Sequence, residues 1–310
     1  ATRRLASAAS APARVIVIVG GGCAGTAAAQ ALRDAGWDGT ITMYSADPQP
    51  PCDRPNLSKS YLDGSAPVDY VPLHPPEFYS EQRIGLRLDA TVEAIDVKAR
   101  RLRLADCSEQ PFDALLLATG ATPVQLTIPG AELPHVHYLR TWSDCDALIA
   151  AAASARRVVI IGASFIGLEA AASLRKRGLE VHVVGREKTL MERVLGPEVG
   201  RFLQRLHEQH GVVFHLGTTP TAIDAGRVTL SDGRTLEAEL VLAGIGARPA
   251  LELAQRAGLA MDRGVTVDAY LQTSAPGIYA AGDIARWPDP LSGEAIRVEH
   301  WVVAGRQGQA

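Results

Sequence analysis

The chain has 310 residues, 47% of them hydrophobic, with 31 basic and 34 acidic side chains and a formal charge of -3. That length suits two domains with sizeable cores, and balanced charge without a long basic run excludes nucleic-acid binding as the main function. No apolar run reaches the roughly 18 residues that a membrane span needs. Four scattered cysteines, Cys23, Cys52, Cys107 and Cys145, lack metal-ligand spacing and suit a cytoplasmic chain with reduced thiols and no metal.

Residues 1–14 are small and polar and are expected to form a tail or linker. Val15 to Val19 are five consecutive β-branched residues, the pattern of a strand buried on both faces. Gly20, Gly22 and Gly25 follow in G-x-G-x-x-G spacing, with Ala24 in the loop and a small-residue helix over Thr26 to Leu32. Such glycines permit a tight turn, close approach of a pyrophosphate and close packing of helix on strand. The helix N-terminus supplies N–H donors for phosphate.

The next strand, Thr40 to Tyr44, leads to Asp47, and then comes Cys52-Asp-Arg54-Pro55-Asn-Leu-Ser58-Lys59. Val92 to Gly120 reads as Val-Glu-Ala-Ile-Asp, Leu-Arg-Leu, and an apolar strand closing in Ala118-Thr119-Gly120. Arg140 stands in Leu-Arg-Thr. Arg157 to Glu169 repeat the opening unit, with Gly162, Ser164, Phe165, Ile166 and Gly167 in the turn and a helix through Ala170 to Arg177. Ser164 replaces the central glycine, so a pyrophosphate approaches less freely there. Strand Glu180 to Val184 runs into Gly185-Arg186-Glu187-Lys188. Ala222 to Gly246 echo the earlier excursion, with an Asp232-Gly233 hairpin turn and a closing strand that ends at Gly246. Three matches in the same order make two dinucleotide-binding units, and so two nucleotides that exchange electrons.

Two further stretches carry a family resemblance. Thr273-Ser-Ala-Pro-Gly-Ile-Tyr-Ala-Ala-Gly-Asp283 resembles the Gly-Asp motif of FAD-dependent pyridine-nucleotide oxidoreductases. Arg54-Pro-Asn-Leu-Ser-Lys59 resembles the signature of the oxygenase-coupled ferredoxin reductases and of the apoptosis-inducing-factor-like proteins that share their fold. The resemblance runs from about Arg14 to Ala310. It implies an α/β fold of two interleaved, doubly wound Rossmann-like domains with glutathione-reductase-like architecture. The FAD domain takes 15–124 and 247–310, and the NAD(P) domain takes 125–246. Relatives continue into a C-terminal domain that this sequence does not include.

Residue roles follow from the same resemblance. Asp283 bonds the ribityl chain of FAD, Arg54 and Lys59 lie along the flavin, and Glu169 pairs with Lys59 on the nicotinamide side. The backbone of Val92 meets the adenine, Arg140 touches FAD, and Asp47, displaced by one residue from the usual position, substitutes for the acid that holds the adenine ribose in relatives. Glu299-His300-Trp301 begin a helix at the flavin N1–C2=O edge, where a helix N-terminus would stabilise negative charge. At the second nucleotide an acid bonds the NAD ribose and an arginine accommodates the NADP phosphate. Arg186 and Glu187 offer both; Glu187 favours NADH, and NADPH stays open.

The expected activity is hydride transfer from NADH to FAD, then single-electron transfer to a ferredoxin or Rieske-type iron-sulfur partner, with a homodimer left open. Alternatives are a redox-sensing interaction protein holding a stable charge-transfer complex, an NADH oxidase or peroxidase working through Cys52, and a nucleotide-binding module without catalysis. A disulfide reductase would need a cysteine pair that the spacing does not provide.

Overall fold

A computed structural model of the chain describes residues 15–310, and the expected tail over residues 1–14 lies outside them. The chain divides into two compact units. The first takes residues up to Pro48, Pro75–Gly120 and Ala250–Ala310; the second takes Gln49–His74 and Ala121–Pro249.

Each unit is built on a five-stranded parallel sheet. In chain order the ten strands are β1 (Val15–Val19), β2 (Thr40–Tyr44), β3 (Ile84–Arg87), β4 (Ala114–Leu117), β5 (Val136–Tyr138), β6 (Arg157–Ile161), β7 (Glu180–Gly185), β8 (Val212–Leu216), β9 (Leu240–Ala243) and β10 (Ile278–Ala280). The first sheet has the order β10-β4-β1-β2-β3 and the second β8-β7-β6-β9-β5. All the pairings within both sheets are parallel. Among the described residues, five helices have nine or more residues: α1 (Cys23–Asp34), α2 (Trp142–Ala152), α3 (Phe165–Lys176), α4 (Glu192–Gln209) and α5 (Trp301–Gln309).

The central strands are apolar because both of their faces are covered. Val17, Ile18, Val158, Val159 and Ile160 have no exposed surface. A three-stranded antiparallel sheet accompanies each parallel one: 92–96, 101–104 and 109–111 in the first unit, and 220–224, 227–230 and 235–237 in the second. The internal repeat of the sequence is thus a repeat of architecture.

Residues 49–74, which the sequence reading places in the FAD domain, pack with the second unit. Cys52, Leu57, Leu62 and Val71 share one apolar core with Cys145, Leu148, Ala170, Ala171 and Leu174. The preference is hydrophobic: these four side chains are no more than 5% exposed, and α2 and α3 supply the surfaces that cover them. Among the described residues, no helix is long and apolar enough to cross a membrane.

Candidate functional site

In the first unit the carboxyl ends of three adjacent parallel strands carry three of the motifs. β1 runs into Gly20, β4 into Ala118-Thr119-Gly120, and β10 through Ala281 into Gly282-Asp283. In open α/β sheets ligands bind outside these strand ends. Gly20 has φ +124°, and a Cβ there would lie 2.1 Å from the Ala118 carbonyl oxygen; one on Gly25 would lie 2.1 Å from Gly20 O. A Cβ on Gly22 would meet nothing within 4 Å. Two glycines therefore serve the turn and the packing, while the third keeps a space open at the N-terminus of α1. Gly22 is the N-cap residue of that helix and has no side chain to bond its N–H groups.

The surroundings of the loop also fit a polar ligand. Gly282 N–H donates to Gln307 Oε1 on α5 at 2.8 Å, whereas Gln307 Nε2 and Thr26 Oγ1 are buried with no protein partner. Native structures leave few buried polar atoms unsatisfied. The Asp283 carbonyl accepts from Arg297 at 2.9 Å, and Arg297 also holds Glu299 at 2.6 Å. His300 caps α5, its Nδ1 accepting from Val302 N–H at 3.2 Å, and Trp301 opens the helix. Val92 begins its strand and is buried, and Asp47 is half-buried beyond β2.

The second unit repeats the device at β6 and α3. Gly162 has φ +118°, with a Cβ position 2.2 Å from Gly244 O, and a Cβ on Gly167 would lie 2.0 Å from Gly162 O. Ser164 caps α3 without using its side chain on the helix; its hydroxyl donates to Gly244 O at 3.3 Å. Ser164, Phe165 and Ile166 are exposed. β9 leads to Gly246, with φ +128°, and β7 ends at Gly185, after which Arg186 lies 3.5 Å from Glu187 Oε1.

The Arg-Pro motif forms a short 3-10 turn, Arg54–Ser58, ahead of a one-turn helix, Ser60–Asp63. Lys59 stands between them. Its Nζ donates to Glu169 Oε2 at 2.8 Å and to Pro55 O at 2.9 Å. The structure therefore joins Lys59 to Glu169 across 110 residues of sequence. The same carboxylate oxygen accepts from Ser58 Oγ at 2.6 Å. Side-chain exposures of 49% for Lys59 and 33% for Glu169 leave the pair accessible from solvent. Beside it, burial pushes the Asp53 carboxyl up, with Lys59 and the Asn56 N–H pulling it down.

Neighbouring helices hold this turn firmly. Cys145 Sγ donates to Leu57 O at 3.1 Å, and burial pushes that thiol up to about 12. Ser173 Oγ donates to Ser58 O at 2.8 Å, and Arg177 Nε donates to Leu62 O. Lys176 meets Asp63 at 2.7 Å. Burial alone would raise the Asp63 carboxyl, but bonds from Lys176 and Ser65 outweigh it and hold it below the ordinary range. Arg140 lies just before α2, its N–H donating to Asp144 Oδ2 at 3.0 Å, and Arg54 is half-buried in the turn.

The predicted site residues thus fall into two groups. Gly20, Gly22, Ala24, Gly25, Asp47, Val92, Ala118 to Gly120, Asp283 and Glu299 to Trp301 belong to the first unit. Arg54, Lys59, Arg140, Gly162 to Gly167, Glu169, Arg186, Glu187 and Gly246 belong to the second. Sequence reasoning missed Ser58, Ser173 and Gln307. The signal for Ser173 was available: it lies one helical turn beyond Glu169 and so on the same face.

Comparisons with known proteins agree with this geometry. Residues 14–308 match the family described as pyridine nucleotide-disulphide oxidoreductase. Rhodocoxin reductase of Rhodococcus erythropolis is 42% identical over 289 residues, which cover 92% of this chain and 68% of that protein. The anthranilate 1,2-dioxygenase system ferredoxin–NAD(+) reductase component of Burkholderia cepacia is 40% identical over 94% of this chain and 73% of its own length. The covalent putidaredoxin reductase–putidaredoxin complex includes a chain that superposes with TM-score 0.92 at 35% identity, covering 96% of this chain and 73% of that one. With two parallel sheets, a glycine loop on each and relatives aligned along nearly all of its length, the chain belongs to the pyridine nucleotide-disulphide oxidoreductase family.

Proposed function

We propose that the chain is an FAD-dependent NAD(P)H reductase of the ferredoxin reductase type, taking a hydride from NADH and passing single electrons to a ferredoxin or Rieske-type iron-sulfur protein. The observation that carries this reading is the pairing of Lys59 with Glu169 in a chain with two glycine loops at two parallel sheets. Two relatives bear the names of a ferredoxin–NAD(+) reductase component and a rhodocoxin reductase, and the structural neighbour is a complex with putidaredoxin.

We assign FAD to the first unit and NADH to the second. The N–H groups at the start of α1 would hold the FAD pyrophosphate in the space that Gly22 keeps open, with Asp283 and the Ala118–Gly120 turn at the neighbouring strand ends. At the start of α3 the loop Gly162–Gly167 would hold the NADH pyrophosphate, and Glu187 the adenine ribose. Bound FAD supplies the two-electron to one-electron conversion. The Lys59 ammonium has three N–H donors, two of which go to Glu169 and Pro55. That bonding fixes the positive charge, and Glu169 balances it. A fixed charge needs no reorganisation as the reaction proceeds.

Cys52 is 5% exposed within an apolar core, which counts against a cysteine-based oxidase or peroxidase. The structure places none of the four cysteines in a disulfide, consistent with the cytoplasmic location we assign. Anaerobic titration of the purified chain with NADH, followed by addition of a ferredoxin, tests the reading. The visible flavin absorbance should bleach and return rapidly. A long-lived charge-transfer band without turnover would favour the sensor reading, and a colourless protein would remove the proposal.

A further inference from the structure

Helix α3 touches the Lys59 segment twice from one face. Glu169 and Ser173, one turn apart, both reach the dipeptide Ser58–Lys59. Glu169 Oε2 takes the Ser58 hydroxyl at 2.6 Å and the Lys59 ammonium at 2.8 Å. Ser173 Oγ donates to Ser58 O at 2.8 Å, with Lys59 O a longer second acceptor at 3.2 Å. Both serines are buried, at 6% for Ser58 and 3% for Ser173, so water does not compete well for these bonds. Lys59 has φ -118° and ψ -116° and belongs to neither the turn before it nor the helix after it. Its direction is therefore set by the bonds on the backbone around it: Lys59 N–H donates to Asn56 O at 3.0 Å and Asp63 N–H to Lys59 O at 2.8 Å within the segment, and Ser173 is the side chain that ties it to α3.

We propose that Ser58 and Ser173 are positioning residues for the Lys59–Glu169 pair. Ser173 fixes the backbone from which Lys59 projects, and Ser58 fixes the carboxylate oxygen that Lys59 meets. Both act from or toward α3, whose N-terminal end, two residues before Glu169, carries the nucleotide loop Gly162–Gly167. One rigid helix thereby ties the placement of the ammonium to the placement of the nicotinamide nucleotide. The proposal rests on the reading that Lys59 acts in flavin reduction.

The test uses the flavin-loaded chain with Ser173→Ala, Ser173→Thr and Ser58→Ala. Stopped-flow reduction by NADH separates the limiting rate from the NADH dissociation constant, and labelling of Lys59 by an amine-reactive ester, read by peptide mass spectrometry, reports the clamp without catalysis. Misplacing a reacting group by about 1 Å can cost on the order of 100-fold, so a looser ammonium should lower the limiting rate in Ser173→Ala by about tenfold. The dissociation constant should stay within about twofold, since the loop is untouched. Labelling of Lys59 should rise several-fold, and Ser173→Thr, which keeps the hydroxyl, should recover both readouts. Should Ser173→Ala fail to fold, Ser58→Ala carries the same expectations, because it leaves the clamped backbone alone. Wild-type labelling and rate in Ser173→Ala, or no recovery in Ser173→Thr, would overturn the proposal. Lys59→Met tests the premise separately: unchanged flavin reduction there would overturn the catalytic reading of Lys59 itself, whatever the labelling shows.

Discussion

The backbone of Gly20 approaches the carbonyl oxygen of Ala118 so closely that a Cβ would stand 2.1 Å from it. Gly162 has the same relationship with Gly244, at 2.2 Å. Both glycines also have positive φ, so alanine is refused twice, once by sterics and once by conformation. We expect Gly20→Ala and Gly162→Ala each to destabilise their unit by about 2–4 kcal/mol. Gly22→Ala should cost no more than about 0.5 kcal/mol while reducing FAD retention, because the space it fills is for ligand. Urea unfolding with and without FAD separates the two effects. Equal loss of stability at Gly20 and Gly22 would contradict the division of roles.

Lys59→Met and Glu169→Gln should separate catalysis from stability. The pair is half exposed, and ion pairs of that kind contribute about 0–1 kcal/mol, so melting should hardly move. The rate of flavin reduction should drop by at least about tenfold. A fall in stability that tracked the fall in rate would make the pair structural.

Glu187 is flanked by two arginines, Arg186 at 3.5 Å and Arg193 at 4.0 Å from its Oε1. These guanidiniums are the groups a 2'-phosphate would seek. Glu187→Ser should weaken NADH by about tenfold and improve NADPH, since it removes an attraction and a repulsion together. Initial rates with each nucleotide decide the matter. An unchanged ratio would place nicotinamide selectivity elsewhere.

Acid should destabilise the second unit through its histidines. His137, His207 and His215 are each held below the ordinary histidine value, with burial the first cause. For His215 the charges of His182 and Arg234 add to it. An Arg234 N–H points at His215 Nδ1 at 3.1 Å and can only donate, so the His215 proton sits on Nε2, toward His182 Nδ1 at 2.9 Å. A histidine with a lowered native pKa binds its proton more readily in the unfolded chain. Stability is therefore complete above about pH 6.5 and declines as pH falls from there through the depressed native values. Urea midpoints between pH 8 and pH 5 should show this decline, and replacing His207 by Phe should make it shallower. Midpoints that stay level over this range would show that these histidines titrate alike in both states.

Much of this was legible in sequence because it depends on local chemistry. The strand Val15–Val19, the glycine spacing and the repeat from Arg157 follow from backbone sterics and two-sided burial. The Lys59–Glu169 pair was legible only through the Arg-Pro motif, for nothing local says that residues 110 positions apart will meet. The placement of residues 49–74 was not legible, because it turns on which apolar surface wins Leu57, Leu62 and Val71, a matter of tertiary packing. The roles of Ser58 and Cys145 escaped for a related reason. Each bonds a main-chain carbonyl or a remote carboxylate, and such partners leave no mark on spacing or periodicity.

Helix α5 lies on α1 by means of two small residues. A Cβ on Gly308 would stand 2.2 Å from Ala24 O, and one on Gly305 would stand 3.2 Å from Cys23 Sγ. The first unit is accordingly closed by residues that a ribosome delivers after everything the second unit needs, which is complete by Pro249. During synthesis the second unit can fold while α1 and its glycine loop still wait for their cover. Of the two glycine motifs, the earlier one thus receives its cover after the later one, and chaperones would meet its β-α unit exposed in the interval.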